Sequence, residues 1–226
     1  MVVAVKTVKV VLLGDSGVGK SSLALRFSSN KFRPYSETTI GASFMSKTVD
    51  LILEDDDNDD ERPGQQQLQQ AKRVSTRRVE FKIWDTAGQE KYHSLAPMYY
   101  RGAGAAILVY DLCHRRSFMT LQKWVDEIQE KGPPEIVLVV CGNKSDLAAH
   151  RQVQMDEGLA FAHKVNAFYI EVSARDDKNV YDVFAEVARR VNIEDDTDEI
   201  QRAEDGRMAE VNLGPRTRIG TKPSCC

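Results

Sequence analysis

Long apolar runs are missing from this 226-residue chain. No stretch approaches the roughly 18 consecutive apolar residues that a membrane-spanning helix needs, so any attachment to a bilayer is expected to come from the tail. Met1 to Val8 is too short and too mixed for a signal peptide. Cysteine is scarce as well: Cys113 and Cys141 stand alone in apolar surroundings, and Cys225 and Cys226 end the sequence. No metal-ligand spacing and no disulfide framework is visible, which favours a reducing compartment and makes the isolated pair read as small buried hydrophobes. Charge of one sign is not in excess either, since 31 Lys and Arg face 34 Asp and Glu for a net −3. Without a basic field, nucleic acid is not an expected partner. The length suits one packed domain with extensions.

What is present is a phosphate cradle. Gly14 to Ser21 reads Gly-Asp-Ser-Gly-Val-Gly-Lys-Ser, preceded by the short apolar run Lys9 to Leu13 and followed by a segment, Ser22 to Phe27, that can continue as a helix. Glycines let the backbone of Ser16, Gly17, Val18 and Gly19 turn its N–H groups inward, Lys20 reaches the β- and γ-phosphates, and the Ser21 hydroxyl can ligate magnesium, with Ser22 following in the first turn. Alone, the pattern says only nucleoside triphosphate. The competing view, a chance Gly-rich turn, is disfavoured by the strand before it and the helix after it.

Further along, Asn30 to Ala42 has loop composition and is long for a connector, as functional loops often are. Ser43 to Leu53 and Arg78 to Trp84 alternate, as half-buried antiparallel strands do. The acidic and Gln-rich segment Glu54 to Thr76 between them cannot bury enough apolar surface to offset its ordering entropy. It reads as a disordered insertion at a hairpin tip, with an acidic docking loop as the alternative. Ala105 to Tyr110 and Ile136 to Val140 are continuous apolar runs expected of parallel strands covered on both faces, and Phe168 to Val172 is a weaker third. Phe118, Leu121, Val125 and Ile128 recur at helical spacing, as do Val180, Phe184, Val187 and Val191; Met155 to Val165 is the poorest helix pattern. Strands alternating with helices predict an α/β domain over 1–191 with a parallel sheet and helices on both sides, then a polar, flexible tail over 192–226.

Two further motifs follow strands. Asp85-Thr86-Ala87-Gly88-Gln89-Glu90 places Asp85 at the carboxyl edge of a sheet, where it can hold a magnesium-bound water. The amide of Gly88 can then meet a terminal phosphate oxygen, and Gln89 can orient an attacking water. Asn143-Lys144-Ser145-Asp146 brings a carboxylate with two acceptors, matching the N1–H and 2-amino donors of guanine. Facing adenine, a buried Asp146 would be left unpaired, at a cost of several kcal/mol. Ser173-Ala174 can supply an amide N–H to guanine O6. In isolation each motif is compatible with an ordinary turn; their order, each after a strand, is not coincidence. The alternation also puts Phe44 and Trp84 on otherwise polar faces, which suggests a recognition patch; the alternative is that both rings tuck under a neighbouring loop.

With these motifs, the chain from about Lys6 to Val191 resembles a Ras-superfamily small GTPase, closest to the early-endosomal members of the Rab subfamily. Thr38 to Phe44, and Trp84 to Glu90 followed by Lys91 to Ala103, match the two switches of those proteins nearly residue for residue. The resemblance implies a P-loop NTPase fold: a six-stranded, mainly parallel sheet with one antiparallel edge strand. It also implies magnesium held by Ser21 and Thr39, Phe32 packed against guanine, and an effector surface of Phe44, Trp84 and Tyr99. There are three departures from the pattern. The Glu54 to Thr76 segment is short in the family, Val172 and Arg175 stand where Thr and Lys are usual, and Gly17 replaces a common Ala. Arg175 can still lay its stem over the base.

A GTP- and GDP-binding switch with slow intrinsic hydrolysis is expected, since Gln89 is present and no arginine is evident in cis. The resemblance further implies an exchange factor, a GTPase-activating protein, effectors, a prenylation escort and a GDP-dissociation inhibitor. The terminal Cys225-Cys226 resembles a double geranylgeranylation site, which suits stable anchoring to the cytoplasmic face of endosomal membranes and cycling with the cytosol. Arg216, Arg218 and Lys222 add weak attraction to anionic lipid. Two rival readings are a nucleotide kinase, against which the Asn-Lys-x-Asp motif and the lack of an Arg-rich lid argue, and a constitutively GTP-bound tether, against which Gln89 argues.

Overall fold

β-branched and aliphatic residues in runs of seven or more make strands buried on both faces, and this explains the centre of the molecule. The computed structural model describes residues 5–35, 37–54, 74–88 and 96–191. Six strands, β1 (Val5–Leu13), β2 (Ala42–Glu54), β3 (Val74–Thr86), β4 (Ala105–Asp111), β5 (Val137–Asn143) and β6 (Phe168–Glu171), form one sheet in the order β2-β3-β1-β4-β5-β6. Only β2 runs antiparallel, at the edge, as the family resemblance implied. β1 lies between β3 and β4, so successive connections leave it toward opposite edges; a crevice opens at such a reversal beyond the carboxyl ends of the strands.

Every residue of β4 is buried. Ala105, Ile107 and Val109 enter one core, Ala106, Leu108 and Tyr110 the other. The first core lies under α1 (Lys20–Ser29) and the last helix: Phe27 stacks on Phe184 at 3.6 Å between ring centres, and Phe81 meets both rings edge-on at 5.5 and 5.6 Å. The second gathers Tyr100 of α2 (Ala96–Tyr100) with Leu121, Trp124, Val125 and Ile128.

Three expectations need correction. The helical spacing from Phe118 to Ile128 predicts one helix, yet Thr120 separates α3 (Arg115–Met119) from α4 (Leu121–Lys131). Hydroxyls cause the break: Ser117 Oγ donates to the His114 carbonyl (2.7 Å) and Thr120 Oγ1 to the Ser117 carbonyl (3.0 Å), competing with the helical ladder. The insertion is shorter than Glu54 to Thr76, because the β2–β3 ladder continues through Ile52 opposite Thr76 to Glu54 opposite Val74; positions 55–73 fall outside the described residues. Cys141 is fully buried, whereas Cys113 is only half-buried, since it sits past the end of β4 on a turn tied by its own N–H to Asp111 Oδ1.

The weakly patterned segment does form a helix, α5 (Met155–Lys164), started by a capping box in which Glu157 accepts from the Gln154 N–H at 3.0 Å. The final helix, α6 (Val180–Arg190), presents Val180, Val183, Phe184 and Val187 to the first core.

Candidate functional site

A cavity of about 660 Å³ opens at the carboxyl edge of the sheet, and most of the residues singled out from sequence line it: Ser16, Gly17, Gly19, Lys20, Ser21, Ser22, Phe32, Thr39, Gly88, Asn143, Lys144, Asp146, Ala174 and Arg175. Val18 does not. Its side chain is in the first core, and its carbonyl accepts a bond from Asn143 Nδ2 at 2.9 Å, which leaves only its backbone to the site.

At one end, Gly17 and Gly19 hold left-handed backbone at φ 79° and 98°. Gly19 is irreplaceable on space as well, since a Cβ there would lie 2.3 Å from Asn143 Nδ2. Among the described residues no side chain caps the start of α1, so its first-turn amides remain available to an anion. Lys20 is buried and its Nζ donates to the carbonyls of Gly14 (2.7 Å) and Asp15 (2.8 Å). Burial lowers its pKa to about 8, opposed by the charges of Asp85 and Asp15.

Beside it, the hydroxyls of Ser21 and Thr39 are 2.7 Å apart. Asp85 is buried rather than lining the cavity. Its Oδ2 accepts from Ser43 Oγ at 3.3 Å, and its Oδ1 has no hydrogen-bond partner among the described residues. Burial pushes this carboxyl upward, countered by the nearby Ser21 hydroxyl, the Lys20 charge and the hydroxyls of Ser43 and Thr39. An orphaned buried carboxylate oxygen close to two hydroxyls is a donor set for a hard divalent cation, so the residues fit magnesium.

At the other end, Asn143 Oδ1 accepts from the N–H groups of Lys144 (2.8 Å) and Ala174 (3.2 Å), joining two loops. Lys144 Nζ donates to the Gly17 carbonyl at 2.9 Å and pairs with Asp111 Oδ2 at 2.7 Å. Asp146 accepts from Ser173 Oγ at 2.7 Å and lies 3.7 Å from Arg175 Nη1. Ser173 therefore orients Asp146 instead of facing the cavity, and its own N–H is bound to the Lys178 carbonyl. Of the Ser173-Ala174 pair, only Ala174 reaches the wall, with its N–H already engaged at long range.

Sequence patterning missed Asp111, which carries no motif, and the loop residues Arg33, Pro34, Tyr35, Glu37 and Thr38, which also line the cavity together with Thr86 and Leu147. Composition marks that loop as irregular without saying that it folds over the site. Arg33 thus stands in the cavity wall together with Arg175, which is among the residues expected there from sequence. Gln89, Cys225 and Cys226 lie outside the described residues.

A separate aromatic group occupies the β2–β3 face. Phe44 and Trp84 sit directly opposite in the ladder with ring centres 5.7 Å apart, and Tyr99 follows Trp84 at 5.7 Å. Phe44 is 53% exposed, Trp84 is half-buried, and Lys9 Nζ lies 5.1 Å from the centre of the indole.

No helix among the described residues is long and apolar enough to cross a membrane. The Ras family model matches residues 9–193. The chain is 42% identical to Ras-related protein Rab5A of Oryza sativa subsp. japonica over 223 residues, covering 98% of this chain and 96% of that protein. It is 43% identical to Ras-related protein Rab-5A of Dictyostelium discoideum, with 96% and 94% covered, and 45% identical to RABF2b of Arabidopsis thaliana, with 81% and 80% covered. Sheet order, family model and relatives agree: the chain belongs to the Ras family, as a Rab5-like GTP-binding and GTP-hydrolysing switch of early endosomal vesicle traffic.

Proposed function

We propose that guanine nucleotide lies along the cavity with its phosphates at Ser16 to Ser22 and its base between Phe32, Lys144, Asp146 and the Ala174-Arg175 segment. The observation that carries this reading is the single cavity that joins the capless start of α1 to Asp146. Ser21, Thr39 and Asp85 would hold magnesium, which would supply neutralisation of phosphate charge.

Gln89 orients the attacking water. The water oxygen bonds to the γ-phosphorus, the bridging bond to the β-phosphate breaks, and GDP and inorganic phosphate leave. Hydrolysis is slow until a GTPase-activating protein stabilises the developing charge. Loss of the γ-phosphate removes its contacts to Thr39 and to the amide of Gly88, so the loops carrying them loosen. Effectors read that change at Phe44, Trp84 and Tyr99 and promote vesicle tethering and fusion, and an exchange factor reloads GTP.

Cys225 and Cys226 carry two prenyl chains, delivered by an escort and masked in the GDP form by a dissociation inhibitor, so the protein cycles between cytosol and the cytoplasmic face of endosomal membranes. Single-turnover GTP hydrolysis by the parent and by Gln89→Leu tests the catalytic role: the variant is expected to be at least about tenfold slower. Equal rates would remove Gln89 from the reaction.

A further inference from the structure

The guanidinium of Arg26, near the C-terminal end of α1, is seated before it reaches anything distant. Its Nη1 donates to the carbonyl of Asn30 (3.2 Å) and to Asn30 Oδ1 (3.0 Å), while Asn30, in left-handed backbone at φ 53°, returns its N–H to the Arg26 carbonyl (2.9 Å). From that seat Nε donates to the carbonyl of Ala174 at 2.9 Å and Nη2 to the carbonyl of Arg175 at 2.7 Å. A planar fork held at one end is pre-organised to grip two successive carbonyls at the other.

Both gripped residues line the cavity at its base end. A trans peptide sets C=O and N–H on opposite sides, so drawing the Ala174 carbonyl onto Arg26 turns the N–H of Arg175 the other way. The following N–H, of Asp176, is fixed on Ser173 Oγ at 3.0 Å, and that same oxygen donates to Asp146. The helix that begins at the phosphate cradle therefore ends by holding the backbone beside the base.

We propose that Arg26 is a positioning residue for base recognition, holding the Ala174-Arg175 backbone against the oxygen at C6 of the purine while Asp146 reads the N1 and 2-amino side. This rests on the guanine reading above. It predicts a division that a general structural role lacks: loss of Arg26 weakens recognition of O6 and leaves recognition of the 2-amino group intact.

The test is an equilibrium competition on the full chain with GDP, 6-thio-GDP (sulfur in place of O6) and inosine diphosphate (no 2-amino group). Arg26→Ala is expected to bind GDP about tenfold more weakly. Its discrimination between GDP and 6-thio-GDP should shrink by about the same factor, and its discrimination against inosine diphosphate should stay within about twofold of the parent's. Asn30→Gly, which keeps the left-handed backbone but removes Oδ1, should show the same signature at smaller amplitude and carries the test if Arg26→Ala does not fold. Equal weakening of all three nucleotides, no weakening at all, or collapse of only the inosine penalty would overturn the proposal. Asp146→Asn serves as the separate control: if it leaves the inosine penalty unchanged, the assignment of the base pocket fails, whatever Arg26 does.

Discussion

Lys144 Nζ is 2.7 Å from Asp111 Oδ2 and donates to the carbonyl of Gly17 at 2.9 Å, so one ammonium ties the loop after β5, the end of β4 and the Gly-rich turn after β1 together. Asp111 is buried and no motif flags it. Its carboxylate holds Lys144 in place, and an amide of the same shape keeps the bond from the Cys113 N–H while losing the charge. Asp111→Asn is expected to speed release of a fluorescent GDP analogue about tenfold, with the fold intact by circular dichroism. An unchanged release rate would make the ion pair incidental.

Lys20 is expected to make nucleotide binding pH-dependent. With its pKa lowered to about 8 by burial, the nucleotide-free chain sheds this proton between about 8 and the ordinary 10.5, where an unfolded chain retains it. Its contribution to the stability of the empty fold therefore rises with pH across that window. Binding has the opposite sign, because phosphate oxygens favour the charged lysine. GDP affinity is expected to fall above about pH 8 with uptake of up to about one proton per nucleotide, measured by titration calorimetry in buffers of different ionisation enthalpy. Proton-neutral binding at pH 9 would contradict this.

Gly158 is where α5 resisted recognition in the sequence. An exposed helical Gly→Ala change ordinarily stabilises by about 1 kcal/mol. Here a Cβ would lie 2.4 Å from the ring of Tyr169, whose hydroxyl bonds Tyr110 (3.0 Å) and Glu171 (2.9 Å). Gly158→Ala is expected to destabilise by about 1–3 kcal/mol in urea unfolding.

That case shows what was legible and what was not. The cradle, the two acidic motifs and the buried strands could be read because local backbone need and side-chain chemistry coincide there, at Gly19, Asp85 and Asp146. The weak pattern of α5 reflects a partner, Tyr169, brought by a strand outside the helix. Asp111, Arg26 and the Ser173 grip on Asp146 were illegible for the same reason, being contacts between residues far apart in the chain. The break at Thr120 was local, but spacing of apolar residues is blind to hydroxyls that compete for backbone carbonyls.

Glu171 extends the same network. Arg151 grips it at 2.8 and 2.6 Å, and with the Tyr169 hydroxyl this holds its carboxyl below the usual carboxylate range. A depressed carboxylate contributes stability that is present above its unfolded pKa, 4.5, and lost as pH falls through the folded value. Glu171→Gln leaves the part-buried Arg151 without its counter-charge and is expected to cost about 1–2 kcal/mol at pH 7. The deficit should narrow below pH 4.5, seen as converging melting temperatures of parent and variant.

Selection of guanine through Asp146 is open to a direct test by exchange of the base. Competition of GTP against xanthosine triphosphate should favour GTP in the parent. In Asp146→Asn the preference should reverse, with GTP affinity falling by at least about a hundredfold, because the amide no longer offers two acceptors and gains a donor for the 2-oxo group of xanthine. Unchanged GTP affinity in that variant would contradict the account.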